Sequence, residues 1–183
     1  MEKIEEQNGQ KWSMEELNRF SVEGFKEAAK FPITIVLDNV RSMHNVGSIF
    51  RTSDAFRIEQ IALCGITAKP PHREINKTAL GATESVYWQY HETTFECIQD
   101  LKSKGYAVFA IEQVKGSVML DKISFQTDKK TAFVFGNEVF GVSEEVLNAS
   151  DGFIEIPQFG TKHSFNISIS VGIVLWHHYI SSK

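Results

Sequence analysis

Three short stretches of this chain carry polar side chains at spacings that suit chemistry. The first, Asn45 to Arg51, sets an amide six residues before a guanidinium. The planar fork of an arginine makes two bonds to a phosphate at once, so Arg51 facing a polyanion, with Asn45 holding the loop, is one reading. A helix N-cap followed by a surface arginine is the other, and in isolation both stand. The second stretch, Phe135 to Glu145, brackets Glu138 with Gly136 and Gly141. Glycines there supply unusual backbone angles for a strand-to-helix turn, or let a ligand touch backbone beside a carboxylate. The third, Ile156 to Ser170, feeds Ser164, Asn166, Ser168 and Ser170 into a segment that is otherwise apolar as far as Trp176. Hydroxyls and an amide at the mouth of a buried helix are costly unless hydrogen-bonded, so they serve as caps or meet a ligand.

The elements that must position these groups alternate. Residues 12 to 30 read as an amphipathic helix, with Ser13 and Glu16 at capping-box spacing and Pro32 as the stop. Strands are expected over 33–40, 60–65, 85–91, 106–112, 131–137 and 152–157. Between them, helices are expected over 46–56 with Asn45 as N-cap, 72–80, 93–105, and from Ser143 to 150; a last helix spans 166–180. Such alternation means βαβ units, hence an α/β fold with a mainly parallel six-stranded sheet and helices on both faces. Ligands of open parallel sheets bind beyond the carboxyl ends of strands. All three polar stretches fall there, after the first, fifth and sixth strands.

Composition narrows the class. The 183 residues suit one domain, taken as a helical extension over 1–30 and a core over 33–180. An apolar content of 42% with 14 Phe is ample for a core. No apolar run is long enough to cross a bilayer, and the acidic start MEKIEEQNGQ is no secretory signal, so no membrane is expected and the location is read as cytoplasmic. Cys64 and Cys97 lie far apart with no C-x-x-C pattern and are expected to be reduced core residues. The net charge of −4 argues against a generally basic nucleic-acid binder. Yet Arg41, Arg51, Arg57, Lys162 and His163 cluster near the polar stretches, while Lys69, Arg73 and Lys77 face only Glu74 between residues 67 and 80. On charge alone, a mixed solvated surface is the more ordinary reading.

Several chemistries are excluded. The loop after the first strand, DNVRSMHNVGS, has one glycine where a dinucleotide site needs G-x-G-x-x-G. P-loop, H-E-x-x-H and G-x-S-x-G motifs are missing from the sequence. Adjacent His177 and His178 point about 100° apart on a helix and cannot share a metal; the other histidines are scattered, so no metal is expected.

In combination the motifs are specific. N-x-G-x-x-x-R (Asn45, Gly47, Arg51), G-x-E-x-x-G-x-S (Gly136, Glu138, Gly141, Ser143) and I-P-x-x-G-x-x-x-S-x-N-x-S (Ile156, Pro157, Gly160, Ser164, Asn166, Ser168) occur in order. Over residues 33–180 the chain resembles the SpoU-type (TrmH-like) RNA 2′-O-ribose methyltransferases of the SPOUT superfamily. It departs mildly at Gln158, where Met is common, and at Phe165, where Leu is common. The resemblance implies a deep trefoil knot in the C-terminal third, which pattern alone would not suggest because knots are rare. It implies S-adenosylmethionine held by backbone groups near Glu112, Gly136, Ile156 and Phe165. It implies a homodimer in which the apolar last helix meets its partner. Methyl transfer to a ribose 2′-hydroxyl of tRNA or rRNA would involve Arg51, Asn45, Glu138, Ser164 and Asn166, with Arg41, Arg51, Lys162 and His163 meeting RNA. Because the chain carries little beyond the core, tRNA is favoured over rRNA. Rival readings are an RNA-binding relative without catalysis, another nucleotide-using α/β enzyme, and a purely structural dimer. Retention of all five polar residues argues against the first, the missing glycine-rich loop against the second, and the polar cluster at 160–170 against the third.

Overall fold

The computed structural model describes residues 9, 11–13 and 15–181. Its centre is a sheet of seven strands, all parallel, in the order β3-β2-β1-β6-β4-β7-β5. The strands are β1 (Phe31–Asp38), β2 (Ile58–Cys64), β3 (Tyr87–His91), β4 (Ala107–Ile111), β5 (Val118–Met119), β6 (Thr131–Phe135) and β7 (Gly152–Glu155). The seventh strand beyond the six expected is β5, two exposed residues that no periodicity could reveal; they become a strand by pairing with β7.

Helices cover both faces, as alternating strand residues require. Ile33, Ile35 and Leu37 of β1 enter one core with α2 (Met43–Ala55), α3 (Arg73–Ala79) and α7 (Ile167–Ser181). Val36 enters a second core with α5 (Thr94–Ser103) and α6 (Glu144–Ala149). Cys64 and Cys97 are free and buried in that second core.

The long N-terminal helix is not formed. Its start signal works locally: Ser13 N–H donates to Glu16 Oε2 (2.7 Å) and Glu16 N–H to Ser13 Oγ (3.2 Å). Asn18 then turns the chain at φ 45°, and a separate short helix, α1 (Val22–Glu27), begins at the cap Ser21. A helix this short needs an anchored apolar face, and here only Phe25 is buried while Leu17 and Phe20 lie exposed. A second correction concerns α2. Its N-cap is Ser42, whose Oγ accepts from Asn45 N–H at 3.3 Å; Asn45 lies inside the first turn with its side chain free for other work. The third strand starts at Tyr87 because Gly81, at φ 90°, opens the short helix α4 (Ala82–Ser85). Ser143 caps α6 by position, without a side-chain bond.

One buried polar group on α7 has a measurable consequence. His178 is 1% exposed, its Nε2 has no partner among the described residues, and its ring stacks on Phe125 at 5.0 Å. Burial, and then the neighbouring His177, push its pKa down from 6.5 to about 4. The folded state therefore holds His178 neutral, and the unfolded chain takes up a proton near 6.5. Stability owed to the neutral ring is complete above that value and lost as pH falls toward 4. His178→Phe should lose about 5 °C less in melting temperature than the parent between pH 7 and 4.5. Parallel losses in thermal melts of the two proteins would refute the assignment.

Candidate active site

The end of β1 is laced to its neighbours by buried polar groups. Asp38 is 2% exposed; its Oδ1 accepts from Thr94 Oγ1 (2.6 Å) and Asn39 Nδ2 (2.8 Å), its Oδ2 from Ser143 N–H (3.2 Å). Asn39 turns the chain at φ 55° and accepts on its carbonyl from Asn137 Nδ2 at 2.7 Å. Asn137 also folds the loop after β6. Its Oδ1 accepts from Val139 and Phe140 N–H (2.8 and 3.3 Å), and its backbone exchanges two bonds with Gly141. Asn39 and Asn137 escaped the sequence reading; the signals were an Asp-Asn pair at a strand end and an Asn between Gly136 and Glu138.

The tightness of this loop explains its glycines. A Cβ on Gly136 would stand 2.1 Å from the Gly141 carbonyl carbon. Gly141, at φ 69°, presses against Glu112, and a Cβ there would meet Oε2 at 2.3 Å. Glu112 is occupied holding the turn: Oε2 accepts from Val142 N–H (3.0 Å) and Oε1 from Gln113 N–H (2.8 Å). Gly47, by contrast, is a packing residue. A Cβ on it would fall 2.1 Å from Thr78 Oγ1, so it lets α2 lie against α3.

The turn presents Glu138 to the start of α2. Its carboxylate accepts from Arg41 N–H (3.0 Å), Ser42 N–H (3.0 Å) and Asn45 Nδ2 (3.1 Å). Burial alone would raise the Glu138 pKa, but these donations outweigh it and hold the carboxyl below the usual range. An ionised acid at a helix N-terminus is also favoured by the helix dipole. The chain of bonds continues. Asn45 Oδ1 accepts from Asn166 Nδ2 at 3.1 Å, and Asn166 Oδ1 accepts from Ser168 N–H (2.9 Å) and Oγ (2.7 Å) at the start of α7. One network therefore joins all three polar stretches.

Beside the network opens a cleft of about 680 Å³. Glu112, Gly136, Ile156 and Phe165, the expected cofactor residues, all line it. Glu138, Ser164 and Asn166 line it too. The volume lies in the range of small-molecule sites. Asn45 reaches the cleft only through its bonds to Glu138 and Asn166. Arg51 stands further along α2, exposed, its side chain with no hydrogen bond or ion pair among the described residues, and is not part of the wall. Arg41 touches the network through its backbone N–H. Lys162 and His163 are exposed on the loop before α7, which Gln113 Nε2 ties down by donating to the His163 carbonyl at 2.7 Å. Among the described residues no group of three or more His, Cys, Asp or Glu could hold a metal ion.

A parallel sheet with a cleft walled by backbone turns, at the carboxyl ends of β4, β6 and β7, defines an α/β ligand-binding protein. The profile of the SpoU rRNA Methylase family matches residues 32–176. A tRNA (guanosine(18)-2′-O)-methyltransferase of Thermus thermophilus is 33% identical over 144 residues, 79% of this chain and 72% of that protein. The crystal structure of the A. aeolicus TrmH/SpoU tRNA modifying enzyme aligns with a TM-score of 0.75 at 26% identity, covering 85% of this chain and 78% of that one. An AdoMet-bound rRNA methyltransferase from Sinorhizobium meliloti aligns with a TM-score of 0.74 at 28% identity, covering 87% of this chain and 60% of that one. The chain belongs to the SpoU rRNA methylase family.

The cleft wall can be tested through its glycines. Gly141→Ala incurs both the left-handed backbone cost, roughly 1–3 kcal/mol, and the collision with Glu112. Gly116→Ala incurs the backbone cost alone, since Gly116 sits at φ 91° with nothing within 4 Å. In urea unfolding Gly141→Ala should be the less stable of the two by at least about 1 kcal/mol. Equal losses would show that the contact with Glu112 is slack.

Proposed function

We propose that the cleft holds S-adenosylmethionine and that the network beside it presents a ribose 2′-hydroxyl of structured RNA for methylation, the reaction of the SpoU family. The observation that carries this is the chain of bonds from Glu138 through Asn45 to Asn166, which sets three loops around one cleft. The wall suits such a ligand. Its turns are closed so tightly at Gly136 and Gly141 that no side chain fits, leaving backbone to face the ligand. When bound, S-adenosylmethionine supplies a methyl group already activated as a sulfonium.

The protein's task is then positioning and charge stabilisation. The 2′-hydroxyl is a weak acid: as the O–CH3 bond forms and the S–CH3 bond breaks, its proton departs to water at the open cleft, and negative charge builds on the oxygen as the proton leaves. Arginine stays protonated in proteins, so Arg51 is assigned an electrostatic role: it binds an RNA phosphate and stabilises the forming alkoxide. Glu138, already ionised and committed to three donors, fixes Asn45 and the α2 terminus. Ser164 and Asn166, on the cleft wall, offer hydrogen bonds to the ribose. Arg41, Lys162 and His163 add positive charge toward the RNA backbone.

Two further features are part of the same reading. The likeness to solved structures of the family supports assigning to this chain the trefoil knot expected of it, in the C-terminal third. Ile169, Trp176 and Ile180 on α7 are exposed at helical spacing and form an apolar stripe suited to a second copy of the chain. No helix among the described residues is long and apolar enough to cross a membrane, and we place the protein with its RNA in the cytoplasm. The Thermus relative is named for tRNA and the Sinorhizobium structure for rRNA; we favour tRNA as substrate.

Titration calorimetry should show micromolar S-adenosylmethionine binding, and total tRNA and rRNA should then be screened for 2′-O-methylation. No binding at high concentration would move the assignment to an RNA-binding protein without catalysis. Arg51→Ala should retain cofactor affinity and lose roughly 100-fold or more in turnover; undiminished turnover sinks its role. Light scattering should find a dimer that Trp176→Glu converts to monomer, and a monomeric parent would exclude the α7 interface.

A further inference from the structure

Two large apolar rings stand almost free on loops that form the cleft. Phe140 is 84% exposed and Phe159 97% exposed. Each belongs to a loop of the network: Phe140 lies between Glu138 and Gly141, and Phe159 between Ile156 and Asn166. Phe140 lines the cleft, and Phe159 follows Gln158, which also lines it. The Phe140 ring rises from a fixed turn. Its N–H donates to Asn137 Oδ1, and the Asn137–Gly141 bonds close the turn around it. A single exposed Phe is ordinary. Two on loops that meet at one cleft, Phe140 in its wall and Phe159 one residue beyond it, mark a surface kept for an occupant.

The surroundings identify that occupant. Lys162 and His163 follow Phe159 closely in the same exposed loop, and Arg41 is bonded through its N–H to Glu138 beside Phe140. Aromatic faces set among cations are how single-stranded nucleic acid is held: rings stack on bases and the charges follow the backbone. A subunit interface has the opposite character at its core, and α7 already offers an apolar stripe without cations at Ile169, Trp176 and Ile180.

We propose that Phe140 and Phe159 form a stacking platform for an unpaired nucleobase of the RNA, the base whose ribose enters the cleft or its immediate neighbour. This rests on the methyltransferase reading above. A ribose that must reach a recessed methyl donor leaves its helical stack, and stacking on protein rings offsets that loss. Because every base has a π-face, the platform would select for an unstacked nucleotide more than for a particular sequence.

The test uses the full chain and an RNA that the parent methylates, with 2-aminopurine placed at the target or next to it. Phe140→Ala, Phe159→Ala and the corresponding Leu variants should each lower kcat/KM for RNA about ten- to a hundredfold. Quenching of the 2-aminopurine should fall with it. The Tyr variants should restore both. S-adenosylmethionine affinity should not change in the Phe159 variants, and the mass in light scattering should not change in any variant. Leu performing as well as Phe, or a shift in mass, would show that the rings pack against protein, most simply a second copy. A fall in cofactor affinity in the Phe159 variants would assign that ring to the cofactor pocket. Variants that methylate RNA like the parent overturn the platform alone, whereas a parent that binds S-adenosylmethionine and methylates no RNA overturns the enzymatic reading together with it.

Discussion

Glu138 is separated by 93 to 97 residues from the three groups that donate to it. No local preference could bring Arg41 N–H, Ser42 N–H and the Asn45 amide to one carboxylate; the parallel pairing of β1 with β6 does so. That pairing sets the two strand ends side by side, and each loop then finds its partners in the other. The site depends on this arrangement because the exposed, ionised carboxylate uses its lone pairs to gather groups from distant parts of the chain. Three donors fill them, and in doing so fix the start of α2, the turn at 136–141 and, through Asn45, the loop before α7. Remove the carboxylate and two backbone N–H groups at a helix start lose their acceptor together.

Beneath Glu138 lies a second layer of the same kind. Asp38, Asn39, Thr94 and Asn137 are joined by short hydrogen bonds at the end of β1. Their satisfaction allows buried polar groups behind a cleft that Asn137 lines and whose walls mix polar residues such as Gln113, Gln158 and Ser164 with apolar ones. Cooperative polar networks are rigid when complete. Rigidity there matters for a reaction in which in-line approach is the main requirement, since displacement by an ångström can cost two orders of magnitude in rate. The glycines serve the same end: at Gly136 and Gly141 the backbone approaches other atoms too closely for a side chain, so the cleft wall there is main chain with little freedom to move.

How much of this was legible in the sequence differs by level. The alternation of elements was plain because long apolar strands and periodic helices each carry many residues of signal; both faces of the sheet are covered as expected. The failures came where few residues decide. Residues 12–30 hold a capping box that forms, yet one left-handed Asn18 and a poorly anchored apolar face divide the segment. β5 is two residues long and exists through its partner. At the site, the motif residues were visible as polar interruptions of apolar runs, while their partnerships were not. That Asn45 serves Glu138 and Asn166 instead of capping α2, or that Gly47 is needed by Thr78 and not by a ligand, follows from contacts over long separations that spacing cannot express. Asn137 was passed over because an Asn in a Gly-rich turn reads as turn chemistry, which it is, and only the fold shows that it also holds β1.

Arg51 marks the boundary between what the chain builds alone and what it leaves to a partner. Every other polar member of the three motifs singled out as a site residue lines the cleft or joins the network; Arg51 is exposed and unpaired among the described residues. A guanidinium that was to act as a fixed structural cation would have been given a carboxylate. Instead Glu138 is saturated by neutral donors, and the cation is left in solvent with its charge uncompensated. That is the state expected of a group whose counter-ion arrives with the substrate. The same logic applies to an acidic protein that must bind a polyanion: the net charge of −4 opposes association everywhere except at a patch where cations are kept free of acidic partners. In the role proposed for Arg51, its lack of a partner would tie the stabilisation of negative charge to the moment an RNA phosphate is in place.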